Sequence, residues 1–301
     1  MSELPKVWRN GELIPWENAT VPLLSHALSR GSAIFEVLGT HESPDGTVSF
    51  RMDRHLQRLA QSARLLGMEI KYSPAEIETG IKQAVLACGM GRGVVKIMAY
   101  WGNEAIIDLV LKDKLDVAIF PIPARDELGL DKTATATCCL SKWKKLHPAA
   151  SPVEAKACAN YLNGYLARKD AMDRGFDIGL MAGTDGFMAE GSIESVFLVK
   201  NGVLKTPPLG RILSSITRMS ILELAEKEGM DVSTDPIRGD EIFEADEIFT
   251  CHTGIKFVPM HRFEDRTLEA PGPVTAKLQA AMDKVLEYAD PRFSHWFQKV
   301  G

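Results

Sequence analysis

Ala155-Lys156-Ala157-Cys158-Ala159-Asn160-Tyr161-Leu162-Asn163 sets a lysine immediately before a helical pattern that runs from about Ala157 to Arg174. A lysine at a helix start is ordinarily solvated, because lysine is seldom buried. At a strand end just ahead of the helix, however, its amine can point into a cleft instead of along the helix surface. Asp185-Gly186-Phe187-Met188-Ala189-Glu190-Gly191-Ser192 and Asn201-Gly202-Val203-Leu204-Lys205-Thr206-Pro207-Pro208 follow in order. Beyond them, Ile216-Thr217-Arg218 opens a helix to about Glu228, and Ala270-Pro271-Gly272-Pro273-Val274-Thr275 leads into a helix from Pro273 to Tyr288. Strands are expected at Thr133 to Cys139, Gly179 to Met181 and Ser195 to Leu204, the last broken by an Asn201-Gly202 turn.

Upstream, Asn10-Gly11 between Val7-Trp8-Arg9 and Glu12-Leu13-Ile14 signals a hairpin, since both residues accept positive φ. Ala33 to Thr40 and Val48 to Arg51 read as a second hairpin around Ser43-Pro44-Asp45-Gly46. Leu56, Leu59, Ala63 and Leu66 then recur at helical spacing, with Asp53 as N-cap and Gly67 as the stop. A second helix is expected from Ala75 to Cys88, and strands at Val94 to Tyr100, Ala105 to Leu111 and Asp116 to Pro121. The proline, glycine and charge of the segment that follows mark a linker. The expected division is a smaller α+β domain over 1–121, a linker over 122–132 and a larger domain over 133–301.

Of the 301 residues, 45% are hydrophobic and 25% charged, as in an ordinary folded protein, and the formal charge of -5 gives no footprint for nucleic acid. Five cysteines (Cys88, Cys138, Cys139, Cys158, Cys251) without C-x-x-C spacing suggest neither disulfide framework nor zinc site, so no metal is expected. The N-terminal residues lack a basic stretch followed by an apolar run, and no segment reaches membrane-spanning length. A soluble cytoplasmic protein is therefore expected. Gly89-Met90-Gly91-Arg92-Gly93 follows a helix and precedes a strand, the reverse of a phosphate-binding glycine loop, and reads as a helix C-cap and turn.

The ordered motifs, joined by Phe35-Glu36, Phe50-Arg51 and His55-Leu56-Gln57-Arg58-Leu59, resemble the branched-chain aminotransferase family of class IV, fold-type IV pyridoxal-phosphate enzymes. The resemblance covers most of the chain, from Ser25 to Gln279, and implies a mixed α+β and α/β, two-domain fold like that of D-amino-acid aminotransferase. It also implies pyridoxal 5'-phosphate as cofactor and Lys156 as the lysine that condenses with its aldehyde to a Schiff base and then carries a proton at the substrate α-carbon. By the same resemblance Glu190 keeps the pyridine nitrogen protonated and Tyr161 bonds the phenolic oxygen. Ser215, Ile216 and Thr217 at a helix N-terminus, with Arg58 and Thr253, cradle the phosphate. Taken singly, Glu190 is a solvated turn residue, Tyr161 a half-buried aromatic, Arg58 an exposed helix arginine and Thr253 a turn former. With Arg58 and Lys156 in different domains, the site is expected in the cleft between them.

By the resemblance, substrate contacts fall on Arg30, Phe35, Lys96, Thr253 and Gly254, and the chain departs from the family at some of the positions around them. Arg30 stands where an aromatic is usual, Val94 and Lys96 replace a tyrosine-x-arginine pair, and His252 replaces a glycine. Arg30 and Lys96 together suit a second carboxylate or a repositioned α-carboxylate; surface exposure is the alternative for each. The expected reaction is transamination of a branched-chain L-amino acid with 2-oxoglutarate in a homodimer or higher oligomer. Aminodeoxychorismate lyase, D-amino-acid aminotransferase, amine transaminase and a non-catalytic metabolite-binding protein are the alternatives.

Overall fold

The computed structural model describes residues 4–125 and 135–301. In chain order the elements are strands β1 (Val7–Arg9) and β2 (Glu12–Ile14), helix α1 (His26–Arg30), β3 (Ile34–Ser43), β4 (Gly46–Phe50), α2 (Met52–Leu65), α3 (Pro74–Cys88), β5 (Gly93–Tyr100) and β6 (Asp116–Pro123). There follow β7 (Ala136–Leu140), α4 (Tyr161–Asp173), β8 (Ile178–Leu180), β9 (Ser195–Lys200), β10 (Val203–Lys205), α5 (Ile216–Lys227) and β11 (Val232–Ser233). The last are β12 (Glu247–Cys251), β13 (Val258–Phe263), β14 (Arg266–Thr267), α6 (Pro273–Leu286) and β15 (Phe297–Lys299). Among the described residues, a first compact unit holds residues 4–125, Ala155–Ala159 and Arg292–Gly301, and a second holds residues 135–154 and Asn160–Pro291. No helix of the described residues is long and apolar enough to cross a membrane.

The first unit is a seven-stranded sheet in the order β15-β4-β3-β5-β6-β1-β2, with every pairing antiparallel. Alternation along each strand divides its side chains between two faces. Ile34 and Leu38 of β3, Val95 and Ile97 of β5, and Val117 and Ile119 of β6 pack with Leu56, Leu59, Ile77 and Ile81 of α2 and α3. The opposite face carries Met98, Tyr100, Ala118 and Phe120. Helix α3 begins on a full capping box, Ser73 with Glu76, and ends on Gly89 at φ 61, the C-cap read from the glycine run.

The second unit is an eight-stranded sheet whose main path runs β11-β10-β9-β12-β13-β7-β8, with β14 on β13. Pairings β7–β8, β7–β13 and β10–β11 are parallel. Its core gathers Leu180, Val196, Leu198, Ile248, Met260 and Phe263. Gly164 lets α4 close on the chain after Glu190, since a Cβ there would lie 2.1 Å from the Ser192 carbonyl oxygen.

Several expectations are corrected. The run Ala105 to Leu111 is no strand; it has strand propensity but no partner strand, and Ile107 is 87% exposed. Asp53 lies in the first turn of α2, and the residue before the helix is Arg51, left-handed at φ 54 with its N–H on the Trp296 carbonyl. The helix expected from Ala157 starts as a 3-10 turn, Cys158–Asn160, and becomes α-helical at Tyr161. The single domain expected over 133–301 yields Ala155–Ala159 and Arg292–Gly301 to the first unit, because both pair with its sheet. Strand β6 takes in the first two residues of the expected linker, whose residues 126–132 lie outside the described ones, as do 133 and 134 of the strand expected from Thr133.

Candidate active site

Lys156 sits on an extended segment laid antiparallel along the first half of β3. Phe35 N–H donates to the Lys156 carbonyl (3.0 Å), Cys158 N–H to that of Ala33 (2.8 Å) and Ala159 N–H to that of Gly31 (3.2 Å). On its outer edge the Lys156 N–H donates to Ser62 Oγ of α2 (3.0 Å). With the backbone tied on both sides, the side chain turns to the Phe35 face of the sheet, where Nζ stands 4.8 Å from the Phe35 ring centre. Lys96, opposite Val37 two residues further along β3, sets its own Nζ 5.3 Å from the same ring. Two lysine amines therefore lie against one aromatic ring.

Arg58 belongs to the other face. Its Nε and Nη2 donate to the two oxygens of Glu36, each at 2.7 Å, and His55 Nδ1 lies 2.7 Å from Glu36 Oε2. Glu36 is 0% exposed, His55 1% and Arg58 5%. Burial alone would raise the Glu36 pKa, but the charge and hydrogen bonds of Arg58, with those of His55, outweigh it and hold the carboxyl at about 2. Burial lowers the His55 pKa further than the hydrogen bond and charge of Glu36 raise it. Arg30 closes α1 at the surface and donates from Nη2 to the Ile106 carbonyl (3.2 Å); the structure thus gives Arg30 and Lys96 separate partners. In the same unit a cavity of about 420 Å³ has an apolar lining that includes Met98, Phe120, Cys158 and Ala159.

In the second unit Glu190 is buried, not solvated. Its Oε1 lies 2.5 Å from Lys145 Nζ and its Oε2 accepts the Leu213 N–H at 3.1 Å. Tyr161 is the first residue of α4 and half-buried. At α5, Ser215 is the N-cap, its hydroxyl accepting the Arg218 N–H; Ile216 and Thr217 are buried in the first turn, which has no acidic residue. Their N–H groups have no acceptor within the helix, and the helix dipole adds partial positive charge there. This donor set fits a phosphate. Buried Arg218 stands one residue further on, its Nε on Thr206 Oγ1 (3.1 Å) and its Nη2 on the Pro207 carbonyl (2.7 Å). The turn at Thr253 is closed by the His252 N–H on the Ile255 carbonyl (2.9 Å), and the Thr253 carbonyl accepts from Lys256 Nζ at 2.5 Å. The Gly254 N–H is turned to His252 Nδ1 at 3.2 Å.

The expected residues thus divide between the units: Arg30, Phe35, Arg58, Lys96 and Lys156 in the first, Tyr161, Glu190, Ser215, Ile216, Thr217, Thr253 and Gly254 in the second. Sequence reading assigned no role to Glu36, His55, Ser62 or Lys145. His55, Arg58 and Ser62 recur at helical spacing on the buried side of α2, and polar groups on an apolar stripe need partners; that was the available signal. The pairing of Lys145 with Glu190 had none, since 45 residues separate them.

A lysine amine beside an aromatic ring can condense with a carbonyl compound, and a helix N-terminus free of acid can hold an anion. The family description Amino-transferase class IV matches residues 33–263. A branched-chain-amino-acid aminotransferase of Pseudomonas aeruginosa is 31% identical over 96% of this chain and 95% of its own. Among solved structures, the branched-chain aminotransferase of Thermoproteus uzoniensis with norvaline is 30% identical, with TM-score 0.94 over 99% of this chain and 100% of that one. The branched-chain amino acid aminotransferase of Thermobaculum terrenum, in its PLP (holo) form, is 34% identical, with TM-score 0.89 over the whole of both chains. The chain belongs to the class IV aminotransferases.

Proposed function

We propose that this enzyme moves the amino group of a branched-chain L-amino acid to 2-oxoglutarate, using pyridoxal 5'-phosphate held by Lys156. The observation that carries the reading is the fixed Lys156: main-chain bonds to Phe35 and Ala33 flank it and Ser62 holds its N–H, so the backbone that carries the amine is set in place. The names of the relatives support the substrate, and the holo form of the Thermobaculum enzyme supports the cofactor. When bound, the cofactor supplies the aldehyde that takes up the amino group and the protonated ring that accepts electron density from the α-carbon.

The chain's residues do the rest. Lys156 holds the cofactor covalently and its Nζ moves the proton at the substrate α-carbon. Glu190, held in place by Lys145 and the Leu213 N–H, holds the proton at the ring nitrogen. Tyr161 donates to the phenolic oxygen. Arg58, Ser215, the N–H groups of Ile216 and Thr217, and Thr253 hold the phosphate. Lys96, beside Phe35, offers a cation to a substrate carboxylate, with Arg30 a second; Gly254 N–H can do so only by leaving His252 Nδ1.

The working form is a homodimer. Leu23 on the approach to α1, and Ile107, Leu109 and Val110 in the loop joined to it by Ala105 N–H on the Leu24 carbonyl, are 70–87% exposed, an apolar surface that a lone subunit leaves in water. Light scattering of Ile107→Asp against the unaltered protein tests this. For the reaction, purified holoenzyme is mixed separately with L-leucine, L-glutamate and D-alanine while its yellow band is followed. Loss of the band with both L-amino acids, and its return with 2-oxo acids, supports the reading. Response to D-alanine alone overturns the substrate, and no band with added pyridoxal phosphate overturns the cofactor.

A further inference from the structure

The Glu36 carboxylate is the buried hub of the first unit. It takes both Arg58 Nε and Nη2 in a two-point fork and His55 Nδ1 at the same distance, 2.7 Å. A fork of two parallel N–H bonds fixes the plane of a guanidinium as well as its place, which a single ion contact does not. Position 36 lies on β3 next to Phe35, whose N–H holds the Lys156 carbonyl, and Arg58 lies one turn before Ser62, which holds the Lys156 N–H. One strand and one helix therefore locate both Arg58 and Lys156.

We infer that Glu36, steadied by His55, is a positioning residue that sets the Arg58 guanidinium for the cofactor's phosphate, so that the chain's preference for phosphorylated over unphosphorylated pyridoxal depends on Glu36. The inference rests on Arg58 serving the phosphate, as proposed above. Charge alone argues for the opposite sign: an anion behind Arg58 repels a phosphate, and removing it should tighten binding. Geometry wins because Glu36 is the acceptor for two of the three guanidinium nitrogens; without it, a buried cation must find new partners and turn out of place.

The test uses the full-length apoprotein, titrated with pyridoxal 5'-phosphate and separately with pyridoxal, followed by tryptophan fluorescence and the absorption of the bound cofactor. For Glu36→Gln the expected result is a rise of about tenfold in Kd for pyridoxal phosphate, the loss of one charged hydrogen bond's worth, with pyridoxal unchanged. Glu36→Asp keeps the charge but shortens the reach, and should lose the preference in part; it also decides the matter if Glu36→Gln does not fold. In an Arg58→Lys background, Glu36→Gln should have no further effect. Tighter phosphate binding, or equal losses for both ligands, would overturn the inference. Arg58→Ala separates the two claims: if it leaves the phosphate preference intact, the reading of Arg58 fails, and if it abolishes the preference while Glu36→Gln does not, only the role of Glu36 fails.

Discussion

Ser62 Oγ accepts the backbone N–H of Lys156 at 3.0 Å, tying α2 to the segment that carries the amine. Ser62 is fully buried, and its hydroxyl is the acceptor that the edge of this short strand segment finds outside β3. Ser62→Ala should cost about 1–3 kcal/mol of stability, the cost of a buried donor without a partner. Urea denaturation of the holoprotein measures it, with Ser62→Thr restoring most of the loss. A loss below about 0.5 kcal/mol would mean that water replaces the hydroxyl without penalty.

Acid should unfold the first unit through Glu36 and His55. The folded Glu36 has its pKa lowered from 4.5 to about 2, so its contribution is present above 4.5 and lost as pH falls toward 2. That difference is worth about 3 kcal/mol. His55, lowered from 6.5, binds its proton more readily when unfolded, so its contribution falls as pH drops below 6.5. Both signs agree, and stability should decline steadily from pH 6.5 downward. Glu36→Gln should flatten the part below 4.5, as read from urea midpoints across pH.

Lys145 and Glu190 are both about nine-tenths buried and 2.5 Å apart, so removing one strands the other. Lys145→Met should destabilise by about 3–5 kcal/mol, and the Lys145→Met, Glu190→Gln double variant should recover much of that. Thermal melts of the three proteins without cofactor compare them. If the double variant is no more stable than Lys145→Met, the pair is not coupled as its geometry requires.

Thiol chemistry should respect burial. Cys138 and Cys139 are buried on β7 and Cys251 on β12, and burial pushes the Cys139 and Cys251 thiols up to about 11 and about 12 and that of Cys138 higher still. Only Cys88 and Cys158 are partly accessible, and their thiols are raised as well. Alkylation of the native protein at pH 8 should therefore spare Cys138, Cys139 and Cys251 by peptide mass mapping, while urea exposes all five.

Local chemistry made parts of this fold readable. Asn10-Gly11 and Asn201-Gly202 adopt the positive φ angles that join β1 to β2 and β9 to β10, and the apolar spacing of α2 follows from the one face it buries. Strands β12 and β13 escaped because β12 is buried at all five residues and shows no alternation; Glu247 within it is hidden by accepting the N–H groups of Val274 and Thr275 at the start of α6. Ala105 to Leu111 misled for the opposite reason, since its apolar residues stay exposed. Lys156 could be singled out by its flanking motif, but its strand pairing with β3 joins residues more than 120 apart, and no local pattern encodes that. Glu36 and His55 likewise acquire meaning only when β3 and α2 meet.

The most direct test is where the cofactor is attached. Borohydride reduction of the holoprotein followed by peptide mass spectrometry should place a phosphopyridoxyl group on Lys156, whose Nζ lies 4.8 Å from the Phe35 ring centre, and Lys156→Ala should carry none. Labelling instead of Lys96, at 5.3 Å from the same ring, or of no lysine at all, would contradict the assignment of Lys156 and the function built on it.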